Sequence, residues 1–211
     1  MKTEDVLRFG RYSTSRVKGT LVALSIVSAG VFAAPPPAAA EETDCPPNII
    51  RRTVDNVYVN GTCTIRLSRI EGNIVVGPNG NLLVRGSTIN GNVQSEGATR
   101  IRLLPDATTG RETVVNGSIQ IKNTVAGFTS IIQDVRVGGS IQIEDNAGPF
   151  NLFGNDVNAD VQVFQNDAVV RIRDNTIDGN LQCKENAPRP LNGGGNVVNG
   201  EAEDQCAGFD R

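Results

Sequence analysis

The strongest constraint on how this chain can fold is a seven-residue pattern that keeps returning. It reads Ile70-Glu71-Gly72-Asn73-Ile74, then Ile89-Asn90-Gly91-Asn92-Val93-Gln94, then Val115-Asn116-Gly117-Ser118-Ile119-Gln120-Ile121. It continues as Val137-Gly138-Gly139-Ser140-Ile141-Gln142-Ile143, Val157-Asn158-Ala159-Asp160-Val161-Gln162-Val163 and Ile177-Asp178-Gly179-Asn180-Leu181-Gln182-Cys183. A shortened copy, Val198-Asn199-Gly200-Glu201, follows. The Gly position falls at 72, 91, 117, 139, 159 (Ala), 179 and 200, so the steps are 19, 26, 22, 20, 20 and 21 residues. A repeat of about twenty residues is the mark of a solenoid, in which one coil cannot bury its apolar face alone.

Alternation assigns the faces. Ile70, Gly72, Ile74 and Val76 fall on one side, with Glu71, Asn73 and Val75 on the other, and a strict period of two predicts a strand. The small residue at the Gly position marks a close chain approach or a corner. A second strand is expected before each motif, because Ile65, Val84, Ile132, Leu152 and Ile172 each lie five residues ahead of its first apolar position. No helix-period run appears after residue 40. The expected fold is all-β, a single-stranded right-handed parallel β-helix of about eight coils, with ~20 residues per coil.

Residues 1–40 read as a signal peptide. Lys2, Arg8, Arg11, Arg16 and Lys18 precede an apolar run from Thr20 to Ala34, and Ala38-Ala39-Ala40 supplies a small-residue cleavage site. The apolar run is fifteen residues, whereas a membrane span needs ~20. The remaining chain is expected to be secreted or periplasmic and without a membrane span. Residues 41–53 form an N-terminal lead-in and 54–211 the solenoid. Within it, 105–113 is an insertion expected to project as a loop, and 192–211 is a C-terminal cap.

Removing five basic and two acidic residues from totals of 20 and 23 leaves 15 and 21, a net charge of −6 for residues 41–211. That balance offers no footprint for nucleic acid. Histidine is absent, which excludes His-dependent triads and His-ligated zinc. No cofactor or metal is expected.

Four cysteines in an exported chain imply two disulfides. Five coils separate Gly72 from Gly179, and stacked strands lie ~4.8 Å apart. Cys63 and Cys183 would then be more than ~20 Å apart, beyond the ~7 Å Cα separation a disulfide tolerates. The pairs are therefore Cys45–Cys63 and Cys183–Cys206, one at each end.

Three groups of residues are candidates for function. The outward positions of the repeated strand would stack into columns, with Gln94, Gln120, Gln142, Gln162 and Gln182 in one. Gln120, Gln142, Gln162 and Gln182, with Ser118, Ser140, Asp160 and Asn180 beside them, form a candidate binding face for a polysaccharide or cell-wall glycan. The alternative is that these amides bond one another along the stack. Asn146, Asn166 and Asn186 recur seven residues after the Gly position and suit a structural ladder at a turn. A calcium site using Asp145 and Asp167 is weaker, because calcium takes six to eight oxygens. Asp134, Asp156 and Asp174, with Arg136, Arg171 and Arg173, are the carboxylates and cations available to an enzyme.

The run Gly179-Asn180-Leu181-Gln182-Cys183-Lys184-Glu185-Asn186, then Gly194-Gly195-Asn196 and Glu203-Asp204-Gln205-Cys206, resembles the closing signature of a family of exported bacterial repeat proteins. The resemblance extends over 54–206. It implies a right-handed parallel β-helix and an exported compartment, and it carries over no catalytic residues. The Gly-Asn/Ser-Ile-Gln repeats are also similar, more distantly, to bactofilins, polymerising bacterial β-helices that are cytoplasmic and lack disulfide caps. Three functions follow: a non-catalytic structural or glycan-binding module, a polysaccharide-processing enzyme of pectate-lyase-like type, or a self-assembling β-helix.

Overall fold

The computed structural model describes residues 41–45 and 47–210. The signal-peptide reading of 1–40 lies outside them. The described chain is a parallel β-solenoid of about eight coils without helix, built from three sheets. Sheet 1 has nine strands, from Glu42–Asp44 to Ala202–Asp204; sheet 2 has eight, from Asn48–Ile50 to Leu191–Asn192; sheet 3 has eight, from Thr53–Val54 to Val197–Val198. The chain visits the three in turn, and each strand pairs in parallel with its equivalents in neighbouring coils.

The seven-residue motif is not one strand. Ile70 ends the sheet 3 strand Arg69–Ile70, and Ile74 opens the sheet 1 strand Ile74–Val76. Glu71, Gly72 and Asn73 turn the corner between them, so the unbroken alternation runs through a bend. Both flanking apolar residues still point inward, because the corner changes the strand's direction and not which side faces the core.

The Gly position is small for a specific reason. A Cβ on Gly117 would lie 2.4 Å from Asn92 Oδ1 and 2.6 Å from the Gly91 carbonyl oxygen; on Gly179 it would lie 2.3 Å from Asp160 Oδ1. The Asn, Ser or Asp that follows Gly in one coil thus occupies the space of the missing Cβ in the next. The exception at this position is Ala159.

Inward rows of β-branched and aliphatic side chains fill the prism. Ile119, Ile121, Ile132 and Ile143 are fully buried, as are Val115, Val137, Val157 and Ile177 from sheet 3. Such side chains suit a pleated, buried surface. In most coils the other two corners carry a residue in the left-handed region. Asn123, Asp145, Gln165 and Glu185 take φ between 54° and 57° after sheet 1, and Asp134 and Asp174 take φ of 51° and 56° after sheet 2. A buried polar residue follows several of these: Thr124, Asn146, Asn166 and Asn186 at the first corner, Asn155, Asn175 and Asn196 at the second.

At the first corner, Asn166 Nδ2 donates to Asn186 Oδ1 at 2.8 Å and to the Ile143 carbonyl at 3.0 Å. Its Oδ1 accepts from Asn146 N and Nδ2 at 3.1 and 2.9 Å. The second corner repeats the arrangement: Asn155 donates to Asn175, and Asn175 to Asn196, at 2.9 and 3.0 Å. Hydrogen-bonded amides thus fill two corners of the core, where a turning backbone leaves groups without strand partners.

Disulfides Cys45–Cys63 and Cys183–Cys206 close the two ends, with Cα separations of 5.9 and 5.3 Å. They fit an oxidising compartment. Among the described residues no helix is long and apolar enough to cross a membrane.

The base of the 105–113 insertion does not project. Asp106 is 1% exposed and is held by the Arg66 guanidinium, through Nε and, at 3.1 Å, through Nη2. Thr109 N–H and its hydroxyl donate to Asp106 Oδ1 at 3.0 and 2.9 Å. The hydrogen bond from Arg66 holds the Asp106 carboxyl below its ordinary range, against the opposing effect of burial. Gly86, at φ 56°, has no Cβ to meet the Asp106 side chain, so the segment lies close over the sheet 2 corner. Residues 107–112 are exposed.

Candidate functional site: an outward amide ladder

Alternation within sheet 1 sets the site. In the strand Ile141–Glu144, Ile141 and Ile143 turn inward and Gln142 outward, and pairing in register does the rest. The outward column runs Asp44, Tyr58, Val75, Gln94, Gln120, Gln142, Gln162, Gln182, Glu203.

The five glutamines form a continuous chain of hydrogen bonds. Gln94 Nε2 donates to Gln120 Oε1 at 3.0 Å, Gln120 to Gln142 at 2.9 Å, Gln142 to Gln162 at 2.8 Å and Gln162 to Gln182 at 3.0 Å. Gln182 Nε2 donates to Glu203 Oε2 at 3.0 Å. A carboxylate accepts and does not donate, so Glu203 fixes the direction of every amide before it. Each amide carries two N–H groups and two oxygen lone pairs. The ladder uses one of each, leaving Gln120, Gln142, Gln162 and Gln182 each a donor and an acceptor.

Ser118, Asp160 and Asn180 are not free groups beside this ladder. Ser118 Oγ accepts the Ser140 N–H at 3.1 Å, Asp160 Oδ1 the Asn180 N–H at 2.8 Å, and Asn180 Oδ1 the Glu201 N–H at 2.9 Å. Ser140 stands in the same half-buried column. These residues join coil to coil at the corner. On the other side of the glutamines, Lys122 pairs with Glu144 at 2.5 Å, and that hydrogen bond raises the lysine above its ordinary pKa.

Tyr58 is the residue that periodicity did not single out. It stands two positions past Gln94 in the same column, half-buried, between two shallow depressions. One of these has a volume of ≈ 310 Å³ and is lined by Asn56, Tyr58, Asn73 and Val75. The other, ≈ 340 Å³, is lined by Tyr58, Val75, Gly77, Gln94 and Gln120. A tyrosine offers an apolar ring and a polar tip, the combination that enriches this residue type at interfaces.

Of the carboxylates considered for catalysis, Asp134 and Asp156 line one depression together with Glu112, and Asp174 lies apart from it. Asp134 and Asp174 occupy the corner position after sheet 2, with Gly154 between them at φ 64°. Asp156 lies further on, in the strand Asp156–Val157, facing Arg136 in register. Arg136 bridges Glu112 at 3.1 Å and Asp156 at 3.7 Å. The depression there, lined by Glu112, Asp134, Arg136 and Asp156, measures ≈ 210 Å³, below the ~300–1,000 Å³ of ordinary ligand clefts. Arg171 and Arg173 point out from sheet 2, and Arg173 Cζ lies 4.4 Å from the centroid of Phe153. No His, Cys, Asp or Glu triplet suited to a metal occurs among the described residues.

Comparison with family models, with curated proteins and with solved structures finds no match to this chain.

Proposed function

We propose that this chain is an exported, non-catalytic β-solenoid of the cell envelope or extracellular space, whose sheet 1 face binds a long neutral glycan. The observation that supports this most is the half-used state of the glutamine ladder. Four successive coils each present one amide N–H and one carbonyl lone pair, already oriented by the bonds along the stack. Vicinal sugar hydroxyls both donate and accept, so they complement such a pair. Pre-orientation lowers the ordering cost of binding, and repetition along a polymer multiplies contacts worth ~0.5–1.5 kcal/mol each. Tyr58 supplies an apolar platform at one end.

Two other readings are less well supported. Catalysis on polysaccharide needs paired carboxylates or a metal with a base, and here Arg136 engages Glu112 and Asp156. Head-to-tail assembly would bring Asp44 at one end of the outward column against Glu203 at the other, and like charges placed directly opposite repel.

The test is an array of glycans and peptidoglycan fragments probed with the parent and with Gln142→Ala/Gln162→Ala. Long neutral chains should bind, short oligosaccharides poorly, and the double variant should lose at least tenfold in affinity while remaining folded. Equal binding by parent and variant would mean that the ladder serves only the stack.

A further inference from the structure

Sheet 2 carries a second face, chemically unlike the first. Its outward positions hold Arg66, Arg85, Arg100, Arg102, Arg171 and Arg173, and its strands hold no outward carboxylate. Six of the 15 basic residues of 41–211 therefore stand on one side of a segment whose net charge is −6. The parallel register brings three of them together. Arg100 and Arg102 share the strand Arg100–Leu104; Arg85, from the strand before, pairs with Leu104.

This cluster lacks internal compensation. Arg66 is taken by Asp106. Among the described residues, Arg85 bonds only the Pro105 carbonyl at 3.3 Å, and Arg100 only the Thr129 carbonyl at 3.0 Å. Arg102 Nε is shut off from solvent without a hydrogen-bond partner, and the outer guanidinium nitrogens of Arg102 have no carboxylate partner among the described residues. Burial, followed by the like charges of Arg100 and Arg85, lowers the Arg102 pKa. Three arginines on neighbouring outward positions of two adjacent strands, none paired with a carboxylate among the described residues, form a site for oxyanions.

The surroundings say what bears the oxyanion. Leu83, Leu104 and Ile131 lie half-buried around Arg102, and Phe153 leads on to Arg171 and Arg173. The two arginine groups are three coils apart, roughly 14 Å at ~4.8 Å per strand. A single small anion cannot reach both; an extended chain with recurring carboxylates and apolar ring faces can. The disulfides fit an oxidising compartment, and acidic glycans are extended polymers that carry carboxylates and ring faces in this way.

We propose that the outer face of sheet 2, centred on Arg85, Arg100 and Arg102, binds a carboxylate-bearing polysaccharide. The loop base at Pro105, pinned by Asp106 to Arg66, forms one edge of this face. The site is independent of the glutamine ladder and can stand or fall without it.

Binding is measured by titration calorimetry of the protein against polygalacturonate, alginate and hyaluronate, with methyl-esterified polygalacturonate and dextran as uncharged comparisons. At least one polyuronate should bind, with Kd rising as sodium chloride is raised. The methyl ester should bind about tenfold or more weakly, as expected for losing charge-assisted hydrogen bonds. Arg100→Gln/Arg102→Gln should weaken binding by a similar factor without lowering the melting temperature. Arg171→Gln/Arg173→Gln, remote from the cluster, should weaken long chains and leave short ones unchanged. Gln142→Ala/Gln162→Ala should leave polyuronate binding intact, which separates this site from the ladder. Salt-insensitive binding, no binding to any of the three, undiminished binding by both arginine variants, or tighter binding to DNA or anionic vesicles would each overturn the proposal.

Discussion

Replacing Asn166 with Ala tests whether buried amide ladders, and not the apolar rows alone, hold these coils together. Asn166 is fully buried and makes five side-chain hydrogen bonds. Losing Oδ1 strands the Asn146 N–H in the core, at a cost of ~1–3 kcal/mol for an unsatisfied buried donor. Losing Nδ2 is cheaper at two of its three acceptors. Phe164 O still accepts from Asp145 N, and Asn186 Oδ1 still accepts from the Asn166 N–H. Those lost bonds are worth ~0.5–1.5 kcal/mol each, and the total comes to about 3 kcal/mol. At ~2–4 °C per kcal/mol for a domain of this size, the melting temperature should fall by about 6–12 °C. Amide hydrogen exchange should accelerate most around residues 143–146 and 163–166, because solenoid contacts are between neighbours. The matched control is Gln162→Ala on the outer face, which removes two ladder bonds that water can replace and should cost less than about 1 kcal/mol. If Asn166→Ala costs no more than Gln162→Ala, the ladder is incidental to stability.

Other outcomes follow from the same geometry. Reduction of Cys45–Cys63 and Cys183–Cys206 should free the terminal coils while residues 110–165 keep their exchange protection; a single global unfolding step would contradict the nearest-neighbour account. The Asp106 carboxyl titrates below the ordinary ~3.9 in the folded chain, so its contribution is present above that value and is lost as pH falls through the lower, folded one. The Thr109 amide, bonded to Asp106 Oδ1 at 3.0 Å, should report this as a chemical-shift midpoint below ~3.9, and a midpoint at the ordinary value would refute the Arg66 pinning. Gly117→Ala should destabilise more than Gly139→Ala. The new Cβ meets backbone oxygen at 2.6 Å in the first case, but only a Ser118 hydroxyl at 2.3 Å and backbone at 3.1 Å in the second. The first should cost ~1–3 kcal/mol in a urea melt, typical of overpacking, and the reverse order would refute the close-approach reading.

The solenoid, its period and both disulfides were legible because each rests on a one-dimensional signal. A repeat of about twenty residues fixes which residues stack, and stacking fixes which cysteines meet. The three-sided cross-section was not legible, since Ile70, Gly72 and Ile74 alternate smoothly through a corner that separates two sheets. Alternation reports which side faces the core, and a corner with inward apolar residues on both flanks leaves it unbroken. The ladder at Asn146, Asn166 and Asn186 is legible from its spacing after the Gly position; its counterpart at Asn155, Asn175 and Asn196 is not tied to that position and follows the left-handed corner residues Gly154, Asp174 and Gly195 instead. An αL-prone residue followed by Asn, repeated at the coil period, is the signal that finds both.

Charge is where one-dimensional reading is weakest. A net of −6 over 41–211 describes a long-range field and says nothing about which face a cation occupies. In a solenoid each face is a two-dimensional lattice, with one axis along the strand and the other across coils. Arg85, Arg100 and Arg102 are up to 17 residues apart in sequence, yet they become neighbours because sheet 2 aligns Arg85 with Leu104 and Leu83 with Arg102. The carboxylates that balance the sum lie elsewhere: Asp160 supports a backbone N–H, Glu203 ends the glutamine ladder, and Asp156 faces Arg136. An acidic chain can therefore present a basic face, and the solenoid carries two surfaces of different composition: amides on sheet 1 and guanidiniums on sheet 2.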